Sequence, residues 1–279
     1  MMSSIVLLGT GCPSPSDLRF GPSSLFTHNN RKYLFDCGSG VTQRLSAMGV
    51  KSSEIDVVFI THMHSDHIID LYQLFISGWH QGRDSKFQIV GPRGIKAFFN
   101  NLLTAFQSEL EARVQWEKRP NMKGLEYEIT EIDDSYSFAS DDISIQPFEV
   151  DHFPVEPAYG YQIKYFQNNI EKVIVISGDT RKSENLIQHA IGADALVHEV
   201  FVDLEFDEKR MSKETLLNVC DYHTTPKELG EIANIAKVKK LILTHFVPPI
   251  FDEKKVISDI SQTYKGQIII GEDLMSIDI

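Results

Sequence analysis

Thr61-His62-Met63-His64-Ser65-Asp66-His67 closes and follows the short apolar run Asp56–Thr61. Four groups able to ligate a metal, three imidazoles and one carboxylate, fall within the six residues 62–67. Neutral imidazoles combined with carboxylates suit zinc, and also manganese or iron. The run before them has strand character, so His62 stands at a strand's C-terminal end. His62 and His64 alternate around Met63, and an extended turn aims both at one ion. Asp66 and His67 open a helix predicted over Asp66–Gln81. Being adjacent, they point about 100° apart on a helix and favour a second position. One ion cannot use all four groups comfortably, whereas two ions about 3.5–4 Å apart can.

A two-ion site needs further ligands, and the same placement recurs along the chain. The predicted strand Ile143–Val150 runs into Asp151-His152, Lys172–Ser177 into Gly178-Asp179, and Lys240–Thr244 into His245. Each group, like His62, falls just past an apolar run, at the edge where open α/β sheets build sites. His152 and His245 then serve one metal each, and Asp179 is the bridging carboxylate. The predicted strand Ala195–Val200 contains His198-Glu199, and Tyr222-His223-Thr224-Thr225 precedes a helix over Thr225–Ala236. A Glu199 carboxylate within reach of His223 would orient its imidazole, so that protonated His223 donates to a leaving group. His198 alternates with Glu199, faces the opposite way and stays outside the site. His28, His80 and His189 have no ligating company.

The remaining punctuation is that of an α/β chain. Strands are predicted at Ile5–Leu8, Ser24–Thr27 and Lys32–Asp36, followed by a helix at Val41–Met48 that Gly49 stops. Phe87–Val90 is a strand, and Pro92 can begin a helix over Arg93–Glu111. Strands Leu125–Ile132 and Tyr159–Phe166, helices Ser183–Ile191 and Glu253–Tyr264, and a last strand Gln267–Ile270 complete the reading. In Thr225-Pro226-x-Glu228, Thr225 suits the N-cap, Pro226 the first helical position, and Glu228 the first turn.

The 279 residues have room for one large domain or two small ones, and without a linker the expectation is one domain over 1–279. At 42% apolar and 24% charged residues, disorder is excluded as the dominant state. No apolar run approaches the roughly 18 to 20 residues of a membrane helix. The net charge of −12 argues against a broad basic surface for nucleic acid. Cys12, Cys37 and Cys220 are odd in number and widely spaced, which fits neither a disulfide framework nor a CxxC site. A reducing compartment, the cytoplasm, follows. The apolar run Ile5–Leu8 is four residues long with no Lys or Arg before it, so it reads as a first strand and not a secretion signal.

Together these residues resemble the metallo-β-lactamase superfamily over nearly the whole chain. Its HxHxDH motif stands at His62–His67, and the later His, Asp and His occur in the family's order. Within it the chain resembles the ribonuclease Z branch and its arylsulfatase-type relatives. The supporting text is Leu8-Gly9-Thr10-Gly11, Phe35-Asp36-Cys37-Gly38, Tyr159-Gly160-Tyr161, Ser177-Gly178-Asp179-Thr180-Arg181 and Thr244-His245-Phe246. The resemblance implies an αββα sandwich of two mixed β-sheets flanked by helices, in the α/β (α+β) class. It implies two zinc ions: one held by His62, His64, His152 and Asp179, the other by Asp66, His67, Asp179 and His245. It also implies His223 as proton donor backed by Glu199, and a homodimer.

The expected activity is metal-assisted ester hydrolysis. Two ions lower the pKa of a bridging water, so hydroxide exists near neutral pH, and Asp66 orients it while binding one ion. A phosphodiester is preferred as substrate; a sulfate ester is the alternative, and a non-catalytic metal-binding module the next. Two departures from ribonuclease Z disfavour RNA. The basic arm that those enzymes carry between the equivalents of His152 and Asp179 is missing, replaced by a strand pair with a tight loop at Phe166-Gln167-Asn168-Asn169. Their early Arg-Asn signature is replaced by Asp17-Leu18-Arg19-Phe20. The Lys and Arg residues are scattered, in short pairs such as Lys118-Arg119, Lys209-Arg210, Lys239-Lys240 and Lys254-Lys255. A small anionic ester is the expected substrate.

Overall fold

Ile5 and Leu7 of the first strand, Ser4–Gly9 (β1), point to one side and Val6 and Leu8 to the other, and all four are buried. A strand buried on both faces must lie inside a layered structure. The computed structural model describes residues 3–133, 135–140, 142–202 and 212–279. The basic pair Lys209-Arg210 lies outside them.

Two mixed sheets form the centre. The first holds β1, β2 (Ser23–His28), β3 (Arg31–Phe35), β4 (Val57–Phe59), β5 (Phe87–Gly91) and β6 (Tyr127–Glu131), with β14 (Met275–Asp278) beside β1. The second holds β7 (Phe138–Ser140), β8 (Ile143–Val150), β9 (Ala158–Gln167), β10 (Ile170–Ile176), β11 (Ala195–Phe201), β12 (Lys240–Val247) and β13 (Gln267–Ile270). Its order is β13-β12-β11-β10-β9-β8-β7. Aromatic and β-branched residues of both sheets, among them Phe26, Tyr33, Phe59, Tyr161, Ile163 and Val197, interlock in the core between them. Outside the first sheet pack α1 (Val41–Ala47), α3 (Leu71–His80) and α4 (Ile95–Ala105). Outside the second pack α6 (Glu184–Ala190), α8 (Pro226–Ala236) and α9 (Glu253–Ile260). The αββα sandwich of two mixed sheets is thus present as expected.

Each sheet contains a parallel block, β3 to β6 in one and β10 to β13 in the other. Two antiparallel steps make β8 run the same way as β10. The C-terminal ends of β3, β4, β8, β10, β11 and β12 therefore gather at one rim of the sandwich. That is why residues scattered through the sequence meet there.

Some boundaries differ from expectation. The helix expected over Asp66–Gln81 is two, α2 (Ser65–Ile68) and α3. The backbone at the break bonds elsewhere: Cys37 N–H donates to His67 O (2.7 Å) and Asp70 N–H to Cys37 O (3.1 Å). Arg93–Glu111 likewise divides into α4 and α5 (Gln107–Glu117) at Phe106, whose ring stacks on Tyr72 with centroids 3.8 Å apart. The helix α7 (Lys213–Asp221) and the short strands β7 and β14 were not anticipated. No helix among the described residues is long and apolar enough to cross a membrane.

Candidate metal centre

The strand β4 ends at Phe59, and residues 60–64 form the extended turn that carries His62 and His64. Three bonds hold it. Thr61 N–H donates to Asp36 Oδ1 (2.8 Å), Tyr159 N–H to Thr61 O (2.9 Å), and Tyr161 O–H to Ile60 O (2.6 Å). Glycines supply the clearance. A Cβ on Gly38 would lie 2.5 Å from Asp66 O. One on Gly178, at φ 61, would lie 2.6 Å from Tyr159 O. Only a residue without a side chain fits either place.

Two donor groups result. His62, His64, His152 and Asp179 have ligand atoms within 4.8 Å of one another, as do Asp66, His67 and His245. These are the seven residues expected from the sequence. His64 Nδ1 is 2.9 Å from His62 Nε2 and 3.3 Å from His152 Nε2. Two nitrogens about 2.0–2.1 Å from one tetrahedral ion would stand about 3.3 Å apart, so the spacing fits a metal. Asp179 lies between the groups: its Oδ2 is 3.3 Å from His245 Nε2, 3.4 Å from His67 Nε2 and 3.7 Å from His62 Nε2. His67 Nε2 is buried without a hydrogen-bond partner.

The far nitrogens are mostly anchored. His67 Nδ1–H donates to Asp36 Oδ2 (2.8 Å), and His152 Nδ1–H to Tyr222 O (2.9 Å). Thr61 donates its hydroxyl to Asp36 and receives His62 Nδ1–H at 3.0 Å. Such bonds fix the tautomer and aim the opposite nitrogen at the ion. Asp36 and the Tyr222 carbonyl were missed as site groups by sequence reading. Asp36 had a signal, since it too follows a strand of the same rim. A backbone carbonyl has none.

Electrostatics bind the two groups together. Burial and its imidazole neighbours push His62 well below the ordinary histidine range. Burial opposes charge on His67 as well, yet Asp179, Asp36 and Asp66 outweigh it and raise His67 well above that range. His245 is raised for the same reason by Asp179 and Asp66. Against its burial, Asp179 is held well below the usual carboxylate range by His245, His67 and His62. The buried carboxylates thus demand positive charge at this point.

His245 corrects one expectation. It does not stand past the end of β12 but within it, at φ 43, opposite a register break at Glu199/Val200. The bulge re-aims its side chain into the rim. Glu199 and His223 also meet: Glu199 Oε1 is 3.2 Å from His223 Nδ1 and accepts the backbone N–H groups of Thr224 (3.0 Å) and Thr180 (3.3 Å). The His223 ring centroid lies 5.4 Å from that of His152 and 5.8 Å from that of His245. His198 stays outside both donor groups, its Nδ1 bonded to Glu199 O. His28 is a buried structural residue between Ser3 and Asp142.

This fold and this donor set define a metal-dependent hydrolase of the metallo-β-lactamase superfamily. Comparison with known proteins narrows the class. The pattern of the family described as "Anti-Pycsar protein Apyc1" matches residues 3–260. A ribonuclease Z of Mycolicibacterium gilvum is 33% identical over 285 residues, covering 100% of this chain and 96% of the relative. Among solved structures, the metallo-β-lactamase fold protein YhfI of Bacillus subtilis superposes with a TM-score of 0.74 at 18% identity, covering 100% of both chains. The short form of human tRNase Z gives 0.72 at 21% identity over 98% of each chain. These two likenesses establish the fold. The chain belongs to the anti-Pycsar Apyc1 family, within the ribonuclease Z branch of the superfamily, whose members are metal-dependent hydrolases acting on phosphodiester bonds. The relatives lend no support to the sulfate-ester alternative.

Proposed function

We propose that this chain hydrolyses a small phosphodiester at a site holding two zinc ions. One ion would be held by His62, His64, His152 and Asp179, the other by Asp66, His67, His245 and the shared Asp179. The observation that carries this reading is the position of Asp179 Oδ2, within 3.7 Å of an imidazole nitrogen in either group. Manganese or iron would fit the same nitrogen and oxygen donors. When bound, two such ions supply an activated water and a positive pole for the ester's anionic oxygens.

The chain's own residues do the rest. Asp66, buried at the rim, is placed to hold the attacking water's proton. His223 donates a proton to the departing oxygen, and Glu199, pinned by two backbone amides, orients the imidazole through Nδ1. Phe35, Ile176 and Val197 of the core between the sheets line the same small cavity as His67, Asp179 and His245.

Two names meet among the relatives, ribonuclease Z and anti-Pycsar protein, and the residues favour a substrate smaller than tRNA. Between His152 and Asp179 the strands β9 and β10 join directly through Asn168 and Asn169, both at positive φ, with no arm between them. Several of the paired basic residues are engaged: Arg119 with Glu117 (2.6 Å), Lys239 with Asp194 (2.8 Å), and Lys240 with the Asp278 carbonyl. Beside Asp66 lies a cleft of about 390 Å³ lined by Cys12, Pro13, Phe20, Ser65 and Ile69. It can hold the uncharged part of a small ester. Three cysteines, odd in number and widely spaced, fit the reducing cytoplasm as its location.

A turnover screen of the zinc-loaded protein tests the reading. Bis-p-nitrophenyl phosphate should be cleaved, p-nitrophenyl sulfate should not, and a tRNA precursor should be bound weakly and cut slowly. Efficient 3′-end cleavage of the precursor at sub-micromolar concentration and physiological salt would overturn the small-substrate reading.

A further inference from the structure

The proton donor assigned to His223 sits at the end of a turn that the proposed metal ligands touch at one point, His152 Nδ1–H to Tyr222 O (2.9 Å). His223 follows α7, whose last residue is Asp221, and its own N–H bonds only within the turn, to Cys220 O (3.2 Å). A second side chain holds the start of that turn to the ligand-bearing strands. Arg181, two residues after Asp179, donates through Nε to Asp221 O (2.7 Å) and through Nη2 to Asp221 Oδ2 (2.9 Å). Its Nη1 donates to Asp151 Oδ1 (2.6 Å), Nη2 also reaches Phe153 O (3.3 Å), and its backbone N–H donates to Asp151 O (2.9 Å). A rigid planar fork thus spans the segment around His152, the turn after Asp179 and the C-terminus of α7. That terminus has carbonyls without helical partners, which a guanidinium satisfies well.

We propose that Arg181 is a positioning residue that seats the Asp221-Tyr222-His223 turn on the metal-binding rim and so sets where His223 delivers its proton. The inference rests on the reading of His223 as proton donor. Glu199 fixes the other end of the turn through Thr224 N–H. Arg181 fixes its start, and neither tie replaces the other. The side-chain hydrogen bonds of Arg181 go to Asp151, Phe153 and Asp221 and to none of the donor atoms of the metal centre.

The test uses the metal-saturated full chain and a series of aryl methyl phosphate diesters differing in leaving-group pKa. Turnover is measured for R181A, R181K, H223A and R181A/H223A, with metal content determined on each. R181A should keep its metals and its KM and lose roughly 10- to 100-fold in kcat on poor leaving groups, less on good ones. R181K should recover only part, because an ammonium cannot hold Asp151 and both Asp221 acceptors at once. The double variant should be no slower than H223A. Additive losses, a wild-type rate in R181A, or a variant that no excess of metal fills would each overturn the proposal. A loss in H223A that ignores the leaving group would sink the proton-donor reading instead. Non-additivity would still report whether Arg181 acts through His223.

Discussion

The two halves of the molecule deliver metal-donor side chains to one rim by different means. The first half places His62, His64, Asp66 and His67 on one continuous turn. The second half places His152, Asp179 and His245 singly, after or within β8, β10 and β12. In the first half, local backbone geometry with Asp36 and Thr61 sets the ligand positions. In the second, strand register and cross-segment ties set them. A contiguous ligand set tolerates small shifts of the sheet as a unit. A distributed set does not, because a slip of one strand moves one ligand relative to the others.

Breaking the distributed half at His223, the proposed proton donor, should have the largest effect. His223→Ala should keep its metals and lose roughly 10²- to 10⁴-fold in turnover on substrates with poor leaving groups. Rates along a leaving-group series check this, and equal losses throughout would remove His223 from proton transfer. Glu199→Gln should be milder, since it disturbs only the imidazole's orientation.

The contiguous half should be broken more gently at Asp36. Asp36→Asn keeps the shape but weakens the acceptor of His67 Nδ1–H. Metal affinity should fall roughly 10- to 100-fold, read by competition with a chromophoric chelator. A variant with unchanged affinity would show that the turn holds His67 without the carboxylate.

The smallest effect sharpens the point about register. At the rim opposite the metal centre, Asp194 accepts from Val173 N–H (3.0 Å), Lys172 Nζ (3.3 Å) and Lys239 Nζ (2.8 Å), tying β10 to β11 and to the start of β12. Burial pushes its carboxyl up, but Lys239, the Val173 amide and Lys172 outweigh it and hold the pKa below the usual value. Its stabilisation is therefore complete above the ordinary carboxylate range and lost as pH falls through the lowered pKa. Asp194→Asn should cost about 1 kcal/mol at pH 7 and flatten the acid limb of urea stability measured between neutral and acid pH. An unchanged acid limb would assign the pH dependence to other carboxylates.

The same contrast explains what could be read without coordinates. Strand β8 was expected at Ile143–Val150 and lies there, because its hydrophobic alternation and the following Asp151-His152 mark both ends. The four donor groups of 62–67 were legible as a cluster because the chemistry is crowded into one turn. His152, Asp179 and His245 were legible as strand-end groups, although His245 turned out to sit on a bulge that local sequence does not announce. The divisions after α2 and α4 were hidden because they depend on Cys37 and Tyr72, residues distant in the chain. Asp36 was legible in principle as one more strand-end group, whereas the bonds from Arg181 to Asp151 and Asp221 run through space, and pattern and periodicity do not register such ties.

The central claim is that the two halves build one site for two ions. Elemental analysis of protein purified without chelator, paired with activity during stepwise zinc titration of the metal-free chain, tests it directly. Close to two ions per chain should be found, with Asp179→Ala unable to hold both and turnover rising to its maximum only at the second equivalent. Full activity at one ion per chain, with no further zinc taken up, would contradict the account.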